Sequence, residues 1–241
     1  MSACWPGPAL YVHRCGGALA PENTLAGLRI AGRLGCAAVE FDVMLSADGV
    51  PVVIHDETLE RTAGRPGRVS CMSAAELLAV DVGRAFHPAF QGELLPSFEA
   101  VLATCAELGL VANVEIKPAG GFEVDTGRVV GELLARRAPD VEVLLSSFSA
   151  DALEAAAQRV PDLPRALLVE AYSLAAQARA LELGCHGLNL GRQGLRPEHV
   201  RQARAAGLHV LVYTVNDALD ARQLKAWGVT GVFSDRPDLI R

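Results

Sequence analysis

The feature that most constrains this chain is a glycine that keeps returning at one point of a rhythm. Gly35, Gly109, Gly184, Gly207 and Gly228 each close a stretch with helical spacing and each stands shortly before a strand-like run. Glycine supplies the left-handed backbone that ends a helix without a side-chain clash. A helix stop followed at once by a strand, repeated, implies parallel strands, because each helix must carry the chain back to the starting edge of the sheet. Eight runs read as strands, near residues 10, 39, 111, 142, 166, 187, 210 and 231. Helices are predicted from Pro21-Glu22-Asn23-Thr24 to Gly35 and over 97–108, 124–137, 150–159, 174–183, 197–206 and 218–227. Eight strands alternating with helices predict an α/β chain folded as a (β/α)8 barrel. The alternative, an open doubly wound sheet, lacks the Gly-x-Gly-x-x-Gly that would follow its first strand.

A chain of 241 residues suits one such domain over 1–241. The rhythm breaks between residues 57 and 96, where Gly, Pro and Arg dominate and only Ser73-Ala-Ala-Glu76 looks like a helix start. This stretch reads as an insertion after the second strand, placed to cover a pocket mouth at that end of the barrel. A net charge of −6 with no basic run argues against nucleic acid as a partner. No apolar run approaches the length of a membrane span, so no stable membrane insertion is predicted. The six cysteines are scattered with no Cys-x-x-Cys pair, as reduced thiols of a cytoplasmic protein would be. The N-terminus has no basic segment leading into an apolar one, so no secretory leader is expected.

The chemistry gathers where strands end, the end at which barrels of this kind carry function. Val39-Glu40-Phe41-Asp42-Val43 puts two carboxylates two residues apart, on one face of a strand whose other face is apolar. Side by side they repel and resist desolvation, and a bound cation reverses both penalties. Glu115 and Lys117 repeat the spacing on the third strand. Glu40, Asp42 and Glu115 form a hard-oxygen set suited to one divalent cation, Mg²⁺ or Ca²⁺, with Mn²⁺ also compatible. His13 ends the first strand and His55-Asp56 ends the extension of the second, so the two imidazoles can serve as general acid and base. Arg14 and Lys117 can hold a phosphate, the first by paired hydrogen bonds and the second as a point charge. His87, His186, His199 and His209 read as structural.

These residues resemble, in order along nearly the whole chain, the glycerophosphodiester phosphodiesterase family. The likeness is carried by His13-Arg14, Pro21-Glu-Asn-Thr24, Glu40-Phe-Asp42, Asp48-Gly49, His55-Asp56, Glu115-Ile-Lys117, Tyr213-Thr-Val-Asn216 and Ser234-Asp-Arg-Pro237. It implies a barrel with a small insertion after the second strand, metal ligands at Glu40, Asp42 and Glu115, and acid–base histidines at His13 and His55. It further implies substrate contacts from Arg14, Lys117, Asn23 and Tyr213. The chain departs from the family at two points: Cys15 stands where a glycine usually follows His-Arg, and Tyr213 where a tryptophan is frequent. The implied activity is metal-dependent cleavage of glycerophosphodiesters, such as glycerophosphocholine or glycerophosphoethanolamine, to sn-glycerol 3-phosphate and an alcohol. The alternative is a lysophospholipase D-like enzyme acting on lysophospholipids at a membrane surface.

Overall fold

The computed structural model describes residues 5, 7–137 and 140–240. Strand β1 (Leu10–Val12) leads through helix α1 (Leu25–Arg33) into β2 (Ala38–Leu45), which folds back as the antiparallel arm β3 (Pro51–Val53). The one-turn helices α2 (Glu60–Ala63) and α3 (Ala74–Leu77) follow, then α4 (Phe98–Leu108). From there strand and helix alternate: β4 (Val111–Ile116), α5 (Glu123–Arg137), β5 (Val143–Ser147), α6 (Ala150–Ala157), β6 (Arg165–Val169) and α7 (Leu174–Glu182). The last elements are β7 (Gly187–Gly191), α8 (Pro197–Ala205), β8 (His209–Tyr213), α9 (Ala218–Trp227) and β9 (Gly231–Ser234). Because β1 pairs in parallel with both β2 and β9, eight parallel strands close into a TIM barrel, with β3 outside the ring.

The glycine rhythm has the physical cause expected of it. Gly35, Gly109, Gly184, Gly207 and Gly228 all hold positive φ, from 62° to 100°. The opposite helix ends are fixed by side chains that cap free backbone N–H groups: Thr24 for α1, Ser97 for α4, Ser149 for α6, Ser173 for α7 and Asp217 for α9. Each such cap is worth about 1 kcal/mol. Ser149, Ser173 and Asp217 lie two to four residues beyond a strand, so those strand ends and helix starts share one end of the barrel.

Three packed regions position that end. Between strands and helices runs the main core, which takes the outward face of β2 through Val39, Phe41 and Val43; Phe41 meets Phe98 of α4 at 6.1 Å between ring centres. Inside the barrel, Trp5, Tyr11, Leu144, Ala166, Leu211 and Phe233 form an apolar plug. Under the segment 57–96 a separate core joins Met44, Val52 and Ile54 to Leu59, Val69, Leu77 and Leu95. Ser73 and Glu76 form a reciprocal capping box there, at the predicted helix start. The fifth strand lies two residues later than its apolar run, Val141–Leu145, because polar Ser146 and Ser147 continue it into the barrel mouth. No helix among the described residues is long and apolar enough to cross a membrane.

Candidate active site

A cavity of about 250 Å³ opens at the C-terminal ends of the barrel strands. Its lining includes His13 and Arg14 after β1, Glu40 and Asp42 on β2, His55 after β3, and Glu115 and Lys117 at the end of β4. Phe148, Leu168, Asn189 and Tyr213 form the facing wall. A larger groove of about 700 Å³ lies between α1 and α9 beside β1 and β9, but among the described residues Arg222, Lys225 and Asp238 are the only charged ones that line it, and no carboxylate cluster or histidine does.

Glu40, Asp42 and Glu115 are buried and offer carboxylate oxygens that all lie within 4.8 Å of one another. Glu40 Oε2 accepts the Arg14 backbone N–H at 2.9 Å, while Glu40 Oε1 and Glu115 Oε1 have no hydrogen-bond partner. Burial, then the charges of Asp42 and Glu115, push the Glu40 carboxyl well above its usual range. Burial and then Asp42 push Glu115 up to about 8. Burial works against the Asp42 charge too, but Lys117, His55 and a hydrogen bond from Asn23 hold its carboxyl below the usual range. Three carboxylates this close, two with orphaned oxygens, suit a divalent cation: a shared positive charge removes the repulsion and fills the empty acceptor sites.

Both histidines are held the same way. Nδ1 of His13 lies 2.7 Å from Asp235 Oδ1, and Nδ1 of His55 lies 2.6 Å from Asp56 Oδ1. Each carboxylate accepts a hydrogen bond from Nδ1–H, so in the neutral ring Nε2 carries the lone pair. His13 Nε2 stands 3.9 Å from Glu40 Oε2, and His55 Nε2 stands 2.5 Å from Lys117 Nζ. Burial foremost lowers the His55 pKa, which favours the neutral ring there. The orienting carboxylates are themselves anchored: Asn216 Nδ2 donates to Asp235 at 3.0 Å, and Arg61 Nε donates to Asp56 at 2.6 Å.

Arg61 ties two parts of the site together. Its other two nitrogens donate to both oxygens of Glu22, at 2.6 and 2.8 Å, and Glu22 in turn accepts from Arg14 Nη1 at 3.1 and 3.2 Å. The guanidinium therefore bridges the carboxylate behind His55 and the carboxylate beside Arg14. The loop carrying Arg14 is wound tightly. Arg14 and Cys15 hold φ of 50° and 70°, and Cys15 N donates to Glu40 O at 2.8 Å. The family's usual glycine after His-Arg has a reason in that left-handed backbone, which a side chain adopts at a cost of about 1–2 kcal/mol. Gly17 is more constrained: its φ is 57° and a Cβ would lie 2.4 Å from Asp235 O.

Of the two further expected substrate contacts, one lies outside the cavity lining and one within it. Asn23 does not line the cavity; it stands behind Asp42, donating from Nδ2 to Oδ2 at 2.9 Å and accepting the Asp42 N–H at 3.2 Å. One end of its amide thus bonds the Asp42 carboxylate and the other the Asp42 backbone. Tyr213 lines the cavity, with its hydroxyl donating to Val169 O at 3.0 Å. Nor does any residue of 57–96 line the cavity; that segment reaches the site through Arg61. Glu22, Asn216 and Asp235 stood within motifs read from the sequence, but their hydrogen-bond partners did not show there, and Arg61 stood in no motif. Among the other histidines, His87 caps a short turn through Ala89 N, and His199 stacks on Tyr172.

A family model of the glycerophosphoryl diester phosphodiesterase family matches residues 13–239. A glycerophosphodiester phosphodiesterase of Caldanaerobacter subterraneus is 30% identical over 233 residues, covering 96% of this chain and 95% of the relative. One of Bacillus subtilis is 30% identical over 244 residues, covering 95% of this chain and 83% of the relative. Among solved structures, a phosphodiesterase of Oleispira antarctica, in complex with the product sn-glycerol-3-phosphate, superposes with a TM-score of 0.92 at 37% identity, covering 95% of this chain and 94% of that one. Fold, strand-end carboxylates and comparisons agree: the chain belongs to the glycerophosphoryl diester phosphodiesterase family and is a phosphoric diester hydrolase.

Proposed function

We propose that the protein hydrolyses glycerophosphodiesters such as glycerophosphocholine or glycerophosphoethanolamine to sn-glycerol 3-phosphate and an alcohol, with one divalent cation and the two histidines as acid and base. The observation that carries this reading is the three-carboxylate cluster with orphaned oxygens, flanked by two imidazoles that each have a carboxylate behind Nδ1. Glu40, Asp42 and Glu115 would hold the cation, Mg²⁺ or Ca²⁺ by their oxygen-only chemistry. When bound, it neutralises phosphate charge as a Lewis acid.

The chain's own residues do the rest. Arg14 and Lys117 bind the phosphate oxygens and stabilise the charge that builds on them in the transition state. His55 is the base: its Nδ1–H donates to Asp56, and Nε2, 2.5 Å from Lys117 Nζ, takes a proton once Lys117 turns its ammonium to the phosphate. It removes the proton from the attacking oxygen as the new P–O bond forms. His13 is the acid: with a proton on each ring nitrogen it gives the Nε2 proton to the alcohol oxygen as the old P–O bond breaks. The test is a panel of glycerophosphodiesters and a lysophospholipid, assayed with Mg²⁺, Ca²⁺, Mn²⁺ or chelator. Turnover of glycerophosphodiesters to glycerol 3-phosphate, with cation only, is the expected result; faster turnover of the lysophospholipid would replace the substrate assignment.

A further inference from the structure

Below the carboxylates the cavity floor is polar but uncharged. Asn113 of β4, Ser146 of β5 and Asn189 of β7 line it, and all three are buried, at 1%, 0% and 0% exposure. Asn113 Nδ2 donates to Ser146 Oγ at 2.8 Å, but its Oδ1 has no partner. Asn189 has no partner at either Oδ1 or Nδ2. Asn113 pairs in register with Glu40 and precedes Glu115 by two residues on one strand, so its side chain enters the barrel on the same face, roughly 6.5 Å deeper. Beneath lies the apolar plug, which offers these amides nothing. A buried amide left unpaired carries its full desolvation penalty.

We propose that this floor recognises a free hydroxyl on the polyol arm of the substrate, with Asn189 as its main contact. The inference rests on the phosphodiesterase reading above and adds an orientation to it. An amide presents an acceptor oxygen and donor hydrogens, so it can both accept from and donate to one hydroxyl. It does not match a phosphate, whose charge is met higher up by Arg14 and Lys117. The phosphate therefore stays at the cations and the neutral glycerol arm points down. The other ester arm leaves through the open mouth beside Phe148, which is 49% exposed. A site built to hydrogen-bond a hydroxyl discriminates against the analogue lacking it far more than an apolar pocket discriminates against an extra methylene.

The test crosses a change in the enzyme with a change in the substrate. Asn189→Leu removes both polar atoms at similar volume; Asn189→Ser keeps a smaller polar group. Each is assayed beside the wild type on glycerophosphocholine and on the analogue whose terminal hydroxyl is replaced by hydrogen. In the wild type the missing hydroxyl should lower kcat/KM roughly 10–100-fold. In Asn189→Leu the same deletion should matter less than about threefold, with Asn189→Ser between the two. Equal sensitivity in all three enzymes, or a wild type indifferent to the hydroxyl, would overturn the assignment. If the Leu variant does not fold, the Ser variant carries the comparison. A wild type that cleaves neither substrate with any cation refutes the phosphodiesterase reading instead, and the hydroxyl site falls with it.

Discussion

The two walls of the cavity are built on different principles. On one side β1, β2 and β4 bring His13, Arg14, Glu40, Asp42, Glu115 and Lys117. On the other, β5 to β8 bring Ser146, Phe148, Leu168, Asn189 and Tyr213, none of them charged at neutral pH. The charged wall is held by side-chain hydrogen bonds: His13 to Asp235, His55 to Asp56, Asp56 to Arg61, Asp42 to Asn23. The neutral wall is held by packing and by hydroxyls, those of Ser146 with Asn113, Ser147 on Ile116 O and Tyr213 on Val169 O. The difference divides the work. On the proposed function, charge that develops on the phosphate would be met on one side, and the organic part of the substrate on the other. Damage to the first should therefore appear in kcat, and damage to the second mainly in KM.

The largest effect is expected from Glu40→Gln. Loss of one carboxylate from the cluster should reduce turnover by roughly 10²–10³-fold or more, the range for removing one preorganised electrostatic contact. It should also abolish the rise in melting temperature that added cation gives the wild type, since a ligand stabilises only what it binds. A variant that keeps its cation-dependent stabilisation would remove Glu40 from the ligand set. Next come His13→Ala and His55→Ala, each expected to lose roughly 10²–10⁴-fold in kcat. A substrate whose leaving group is acidic enough to depart unprotonated should rescue His13→Ala and leave His55→Ala slow. The reverse pattern would exchange their roles, and equal rescue would end the division of labour.

Arg61→Met should have an intermediate effect, lowering kcat roughly tenfold with little change in KM, because the bond behind His55 loses its anchor while the cavity lining stays intact. Arg61→Lys should recover only part of the loss, since a point charge cannot make both paired contacts. An unchanged kcat beside a lowered melting temperature would make Arg61 a structural tie alone. The same bridge sets a pH dependence of stability. The Arg61 hydrogen bond foremost holds Asp56 far below the usual carboxylate range; Glu22, despite its burial, is also held below that range by Arg61 and Arg14. Depressed carboxyls stabilise the fold above their unfolded pKa values, near 4, and lose that contribution as pH falls further. Melting temperatures from pH 7 to 3 should therefore fall more steeply in the wild type than in Arg61→Met. Parallel curves would mean that the bridge contributes nothing to stability.

How much of this was legible beforehand follows from where each signal resides. The barrel was legible because glycine stops and apolar periodicity are local, and both recur through the chain. The arm at 51–53 was legible from Asp48-Gly49 between two β-rich runs. The end of the fifth strand was not, because Ser146 and Ser147 are polar for a reason the local pattern does not hold: Ser147 Oγ donates to Ile116 O of the neighbouring β4, and Ser146 accepts from Asn113. The carboxylate pair at Glu40 and Asp42 stood out by its contrast with an apolar strand. The partnership of His13 with Asp235 spans 222 positions, and that of Arg61 with Glu22 spans 39; no spacing rule connects them. Asn23 illustrates the same limit, since its residue type suits a substrate contact and only the structure places it behind Asp42.

The smallest effect is expected on the neutral wall. Tyr213→Phe keeps the ring and removes only the bond to Val169 O, so kcat/KM should change less than about threefold. A larger loss would give the hydroxyl a direct part in the reaction and blur the contrast between the walls.

The central claim, that the charged wall works as a cation site for cleaving a glycerophosphodiester, is tested most directly by following glycerophosphocholine hydrolysis after exhaustive chelation and then across a titration with Mg²⁺ or Ca²⁺. The account expects no turnover in chelator and a saturable return of glycerol 3-phosphate release as cation is added, with Glu40→Gln silent throughout. Full turnover in chelator, or a titration to which Glu40→Gln responds like the wild type, would contradict it.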